Sequence, residues 1–316
     1  MEVRDIFALR KEGRTEEAYN AIIPMYKVHQ GHFTTLAMFW VGSDMLSLIL
    51  SKGMINDAMK IFHSLCNVYQ HIDDKDGKGQ SVILHSAIKI CDADSNFSMT
   101  DFILNWGIEK LGTADWTASQ YNNHIIPSIA QRIIARIYSE VENNPTPENA
   151  NRVIPIINEA LKHNRSNMTF LRLMALLYKI SGAPSKAEVI YALLLEKHRL
   201  SYLYTELAEV CSNPKEQIIL YCAAICSQRN EQFRTKSRIH LAHLLYSCDS
   251  KERAAFEIQQ SITNREQGGF HLSKEQLDLA KDLKVVTPVI ATDEFKFYQE
   301  EMLALPQLLR EKAKNR

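Results

Sequence analysis

The chain has 316 residues, 46 % of them hydrophobic and 23 % charged, the balance of a folded soluble protein and not of a disordered one. Its 37 basic and 37 acidic side chains cancel, so no global field draws in a polyanion or an acidic membrane surface. Six cysteines are too sparse for a disulfide scaffold and suit a reducing compartment.

The opening MEVRDIFALRKEGR mixes acids and bases among its apolar residues and lacks the unbroken apolar core of a secretory signal, so a cytoplasmic protein is expected. The next stretch, GRTEEAYN, reads as a turn glycine followed by a helix start, with Ala18 five places after Gly13. Residues 33–50 are apolar enough to suggest a membrane span, but Gly42, Ser43 and Asp44 sit at their centre, where a charge is costly, and a buried helix is the expectation. Gly53 and Ala58 then repeat the spacing of Gly13 and Ala18, as do Gly182 with Ala187 and Asp249 with Ala254. A glycine or aspartate in that place closes one helix in a left-handed turn. The small alanine lets the next helix press against its predecessor.

The segment DDKDGKGQS, 73–81, has the flavour of a calcium or phosphate loop and satisfies neither pattern. With Gly77 as loop glycine, Ile72 and Ile83 fall on ligand positions, and Gly79 follows the lysine where serine or threonine is required. A solvated connector is expected. Apolar residues three and four apart dominate the chain and strand-like alternation is nearly absent, so the fold class is all-α. Pro24, Pro127 and Pro155 fall in stretches that read as helical, where a proline kinks its helix. Thr146 and Pro147, in the loop ENNPTP, read as N-cap and first helical residue.

In the helices that precede the turns, a large apolar residue, an alanine and a residue four after the first mark a buried face. These are Ile134, Ala135 and Tyr138; Met174, Ala175 and Tyr178; Leu207, Ala208 and Cys211; and Leu241, Ala242 and Leu245. The resulting period resembles the tetratricopeptide repeat, best kept in Leu171, Met174, Ala175, Tyr178, Gly182, Ala187 and Tyr191. The resemblance covers about 120–265 well and 1–110 loosely, and the proline that commonly ends each unit is missing near Arg199. It implies a right-handed α-solenoid of degenerate helix-turn-helix repeats. Residues 1–115 are then N-terminal hairpins, 116–283 the repeats, and 284–316 a linker with a C-terminal capping helix.

The block from Tyr202 to Ile262, with LYTELAEV and QIILYCAAICSQRNEQFRTKSRIHLAHLL, resembles the helical region of bacterial TOTE conflict-system proteins. The small nucleic-acid-binding barrel that such a region can precede has no strand-rich counterpart in these residues. The resemblance implies a role in bacterial defence.

His240 and His243 lie three apart but lack a third ligand, and Cys211, Cys222 and Cys226 fit buried thiols better than a zinc site. With no serine elbow or nucleotide fingerprint either, no catalytic residue, metal or cofactor is expected. The remaining candidate is a surface. Counting from each buried triplet, the opposite side of the first helices carries Arg132 and Arg136, then Arg172 and Lys179, then Tyr202, Thr205 and Glu209, then Lys236, His243 and Tyr246. In tetratricopeptide-like arrays this side lines the groove where peptides bind, so the resemblance implies a groove basic at one end and mixed at the other. A non-catalytic scaffold for an acidic peptide or protein is expected. A nucleic-acid adaptor using the four-base strip and a helical enzyme without a recognisable motif are the alternatives, and no membrane partner is expected.

Overall fold

The computed structural model describes residues 1–284, 286–289 and 294–314. Among these residues the fold is all-α apart from one small hairpin, and the chain forms two compact units, Met1–Pro145 and Thr146–Arg316. Residues 285, 290–293, 315 and 316, part of the expected linker and final helix, lie outside the described residues.

The first unit contains α1 (Val3–Lys11), α2 (Thr15–Val28), α3 (His32–Ser51), α4 (Ile55–Tyr69), α5 (Lys78–Ala93), α6 (Met99–Trp106), α7 (Thr113–Trp116), β1 (Ser119–Tyr121), β2 (His124–Ile126) and α8 (Ile129–Asn143). The apolar α3 is the one described helix long and apolar enough to cross a membrane. Half of that stretch is buried inside the fold, and Asp44 receives Arg10 Nε of α1 at 2.5 Å. Asp74 accepts hydrogen bonds from Tyr69 Oη, Gly79 N and Gln80 N at 2.9, 3.0 and 2.8 Å, so the first turn of α5 is capped by the connector's own carboxylate.

The second unit contains α9 (Pro147–His163), α10 (Met168–Ile180), α11 (Pro184–Lys197), α12 (Ser201–Val210), α13 (Pro214–Ser227), α14 (Thr235–Ser247), α15 (Lys251–Gln267), α16 (Lys274–Asp282), α17 (Glu294–Met302) and α18 (Leu305–Lys314). Consecutive helices from α9 to α16 pack as neighbours. Thr146 caps α9, its Oγ1 accepting from Asn149 N at 3.2 Å, and Pro147 occupies the first turn, as its sequence predicts.

The repeated turn is a real structural unit. Gly13, Gly53, Gly182 and Asp249 all take positive φ, at 76°, 70°, 79° and 64°. After each, the next backbone N–H reaches a carbonyl five residues back: Arg14 to Leu9, Met54 to Ile49, Ala183 to Tyr178 and Ser250 to Leu245, at 3.0, 3.2, 2.8 and 2.9 Å. This double closure ends one helix and reverses the chain. Ala18, Ala58, Ala187 and Ala254 are completely buried where the following helix meets the previous one.

The compact units part at Pro145 and Thr146, and within the first of them α8 packs on α5, α6 and α7. Several expectations are corrected. Helix α8 buries Ala130, Ile133, Ile134, Ile137 and Val141 while Ala135 is exposed, so the triplet rule fails there. It holds for Met174 with Ala175, for Leu207 with Ala208, and for Leu241 with Ala242. Pro127 lies outside any helix: Ile125 and Ile126 belong to β2, which pairs antiparallel with β1 around Asn122 and Asn123, both at positive φ. Cys226 is exposed, unlike Cys211 and Cys222.

The C-terminal segment is two helices, and they do more than cap an end. The chain first runs along α15, where Val289 N donates to Glu252 O at 3.3 Å. Then α17 lies on α13 and α18 on α11. Polar anchors seat them. Tyr298 Oη donates to Glu257 Oε1 at 2.7 Å and accepts from Arg238 Nη1 at 2.9 Å, while Arg238 Nη1 also reaches Glu257 Oε2 at 2.7 Å. Arg253 adds its Nη2 to Glu257 Oε1 at 3.0 Å, and its guanidinium lies between 4.4 and 4.9 Å from the rings of Phe256, Phe297 and Tyr298. On α18, Lys312 Nζ meets Glu188 and Glu216 at 2.8 and 2.7 Å.

Candidate functional site

In the second unit the first helices α10, α12 and α14 stand side by side, and side chains from one reach the next. Two residues seven apart lie on one helical face, so Arg172 and Lys179 of α10 both project toward α12. There Arg172 Nε lies 3.0 Å from both carboxylate oxygens of Glu206, and its Nη2 also bonds to Glu206; Lys179 Nζ meets Glu209 Oε2 at 2.6 Å. From the other side Lys236 of α14 brings its Nζ to Glu209 Oε1 at 2.5 Å, and Thr205 and Ser237 share a buried hydroxyl bond of 2.9 Å. His243 Nε2 continues the row to Glu275 Oε1 on α16 at 3.0 Å.

The electrostatics follow from this lattice of pairs. Hydrogen bonding to Glu206, working against partial burial, holds the Arg172 guanidinium above its ordinary pKa. Burial pushes the Glu209 carboxyl up, but bonds from Lys179 and Lys236 outweigh it and hold the group below the usual carboxylate value. Burial lowers the pKa of His240, whose ring stacks on Tyr221 with centroids 5.5 Å apart, so it faces a different neighbour from His243. Among the described residues no three histidine, cysteine or carboxylate side chains form a metal-binding cluster.

A pocket of about 320 Å³ opens on this face between α12 and the start of α14, lined by Tyr202, Thr205, Glu206, Phe233, Lys236 and Ser237 with Ser201 and Gln228. The Arg172 guanidinium lies over the Tyr202 ring at 4.9 Å, stiffening one wall. The opposite wall is Phe233, 69 % exposed in a short 3-10 turn, Glu231–Arg234, that Arg234 secures by donating its Nε to Gln228 O at 2.8 Å.

The predicted residues divide. Arg172, Lys179, Tyr202, Glu209, Lys236 and His243 do come together along α10, α12 and α14. Thr205 is buried with its hydroxyl bonded to Ser237, and Tyr246 is half-buried against the core. Arg132 and Arg136 belong to the first unit: Arg132 Nη1 lies 3.2 Å from His85 Nδ1, and Arg136 holds Asp92 with Nε and Nη2 at 2.8 and 2.6 Å. Arg136, Arg172 and Lys179 are thus ion-paired with Asp92, Glu206 and Glu209, acids on neighbouring helices that the reading of single helices did not weigh, whereas Arg132 meets the ring of His85. Glu206, Phe233 and Glu275 were not anticipated. Glu206 was within reach of the same-face rule, lying four residues after Tyr202, whereas Phe233 sits in a turn without helical period.

Residues 172–303 match the family model described as a domain of unknown function (DUF7017). The match begins at Arg172 on the first of these helices and ends just beyond α17, so it contains both the paired face and the buried Tyr298 anchor. No curated protein matches the chain.

Proposed function

We propose that the protein is a non-catalytic scaffold whose second unit docks a peptide or protein segment on the α10, α12 and α14 face. In this reading the hairpins form a right-handed array of the tetratricopeptide kind, and the likeness to helical regions of bacterial conflict-system proteins puts the work in the bacterial cytosol. The single observation that carries the proposal is the pocket between Tyr202 and Phe233, two aromatic walls left exposed on a face whose charges are already mutually paired. Such a surface is rigid without being charged overall. It suits an apolar anchor residue flanked by polar backbone, and aromatic side chains of this sort dominate binding energy where they occur.

The test is selection of peptides displayed against the full chain. Enriched sequences carry one large apolar residue, and the double variant Tyr202→Ala, Phe233→Ala loses at least about tenfold in affinity, since truncating an aromatic anchor typically costs 2 kcal/mol or more. Both side chains are exposed, so the fold survives the change. Equal binding by the double variant and the wild type refutes the docking face.

A further inference from the structure

Helices α9 to α16 reverse direction at each short turn, so every second turn lies on one edge of the second unit. Bonds between those turns fix the edge. Ser201 Oγ at the start of α12 donates to Ala224 O near the end of α13 at 2.9 Å, and Asn264 Nδ2 near the end of α15 donates to Glu231 O at 3.1 Å. Three of these turns carry an arginine at one equivalent position. Helices α9, α11 and α13 end in the caps Asn164, His198 and Gln228, and the residues that follow are Arg165, Arg199 and Arg229. Lys197, in the last turn of α11, adds a fourth cation.

All four side chains are exposed, and among the described residues none of them makes an ion pair or a hydrogen bond. This sets them apart from the paired cations of the α10, α12 and α14 face. The sequence around them is one-sided: no acid occurs from Ala160 to Ala187, from Lys197 to Thr205 or from Gln217 to Asn230. Of the flanking acids, Glu159 holds Lys162 at 2.5 Å and Glu231 holds Arg234, which leaves Glu196 against four unpaired cations. Helix dipoles do not account for the row, since Lys162, His163 and Lys197 already answer α9 and α11 from inside the last turn. Beyond the arginines Phe233 and Phe270, each more than half exposed, stand on the α13–α14 and α15–α16 turns of the same edge.

We propose that this edge binds a single strand of nucleic acid, its phosphates on Arg165, Lys197, Arg199 and Arg229 and its bases stacked on Phe233 and Phe270. Helices packed side by side stand about 10 Å apart, so the three turns spread their charge over roughly 20 Å, which suits a linear polyanion and not one phosphate group. The exposed rings favour a strand over a duplex, whose base faces are hidden in the stack, and over an acidic peptide, whose carboxylates have no flat surface to lay on a ring. The proposal stands apart from peptide docking, which uses none of the four cations.

Fluorescence anisotropy of the full chain with a labelled twelve-nucleotide oligothymidylate reads the binding. The dissociation constant is about 10 µM at 50 mM salt, and four phosphate contacts make the affinity fall about 50-fold between 50 and 200 mM. The fourfold variant Arg165→Gln, Lys197→Gln, Arg199→Gln, Arg229→Gln binds at least about tenfold more weakly, with a flatter salt dependence. Removing four exposed bases of the first unit instead, with Arg4→Gln, Lys11→Gln, Lys27→Gln and Lys89→Gln, leaves the affinity within about twofold and so separates the local row from net charge. Circular dichroism shows both variants folded. Phe270→Ala, which leaves the Tyr202 pocket intact, weakens the strand about fivefold without changing the salt slope. A duplex of the same length and an oligoglutamate of twelve residues bind at least about fivefold more weakly than the strand. No anisotropy change at about 100 µM protein, equal losses in the two fourfold variants, wild-type affinity in Phe270→Ala, or a duplex or oligoglutamate bound as tightly as the strand overturns the assignment.

Discussion

Replacing Glu257 by glutamine tests the buried network that seats α17. The Glu257 carboxylate is completely buried and receives Arg238 Nη1 at 2.7 Å, Arg253 Nη2 at 3.0 Å and Tyr298 Oη at 2.7 Å. Arg238 and Arg253 are themselves 1 % and 7 % exposed. Glu257→Gln preserves the shape but removes the one charge that both guanidinium groups share, and breaking a buried pair from one side costs about 3–5 kcal/mol. For a unit of this size each kcal/mol lowers the melting temperature by about 2–4 °C, giving a drop on the order of 10 °C. Thermal unfolding of the full chain by circular dichroism reads the shift, and hydrogen exchange locates the loss of protection in α14, α15 and α17. Replacing the group as a whole, with Arg238→Met, Arg253→Met, Glu257→Leu and Tyr298→Phe together, costs far less than Glu257→Gln alone, because no charge is then left stranded. A drop below about 2 °C for Glu257→Gln would refute the idea that the carboxylate neutralises its two arginines in the interior.

Gly182→Ala meets open space around the added methyl group, so its cost is backbone strain alone, about 1–2 kcal/mol, whereas Asp249→Gly relieves the same strain and raises the melting temperature; opposite signs in one calorimetric series check this. The Cys211 thiol, pushed up to about 12 by burial, reacts with iodoacetamide at pH 8 far more slowly than exposed Cys226 and Cys248, as mass spectrometry of the native protein will show. Because the folded Glu209 carboxyl titrates below its unfolded value of about 4.3, its stabilisation is fully present above pH 5 and is lost as pH falls through the folded value. Glu209→Gln therefore destabilises by about 1–3 kcal/mol at pH 7, and the gap to wild type in urea unfolding narrows in acid.

The turns were legible because their physics is local. A left-handed residue restricts the choice to glycine and a few tolerant types, and a helix crossing without room for a side chain demands alanine, so Gly182 with Ala187 carries its own geometry. Asp249 shows the same rule kept by a residue other than glycine. Partnerships between helices were less legible. Arg172 and Lys179 were placed on the correct face, but their acceptors Glu206 and Glu209 lie on a helix about thirty residues later, and the neutralised character of the surface follows only from packing. The hairpin at 119–126 escaped because all its paired residues are exposed, which removes the alternation of burial that marks a strand.

The contact between Lys312 and Glu188 spans 124 residues of sequence, and it changes how this unit can be made. A stack of hairpins held only by nearest neighbours can fold piecemeal as it leaves the ribosome. Here the outer side of α11 waits for its cover until α18 has been synthesised, a delay of about 6–25 s at ordinary translation speeds of 5–20 residues per second. Through that interval a greasy helix surface stands bare, a natural substrate for a holding chaperone, and a nascent chain truncated anywhere before its final helix never conceals it.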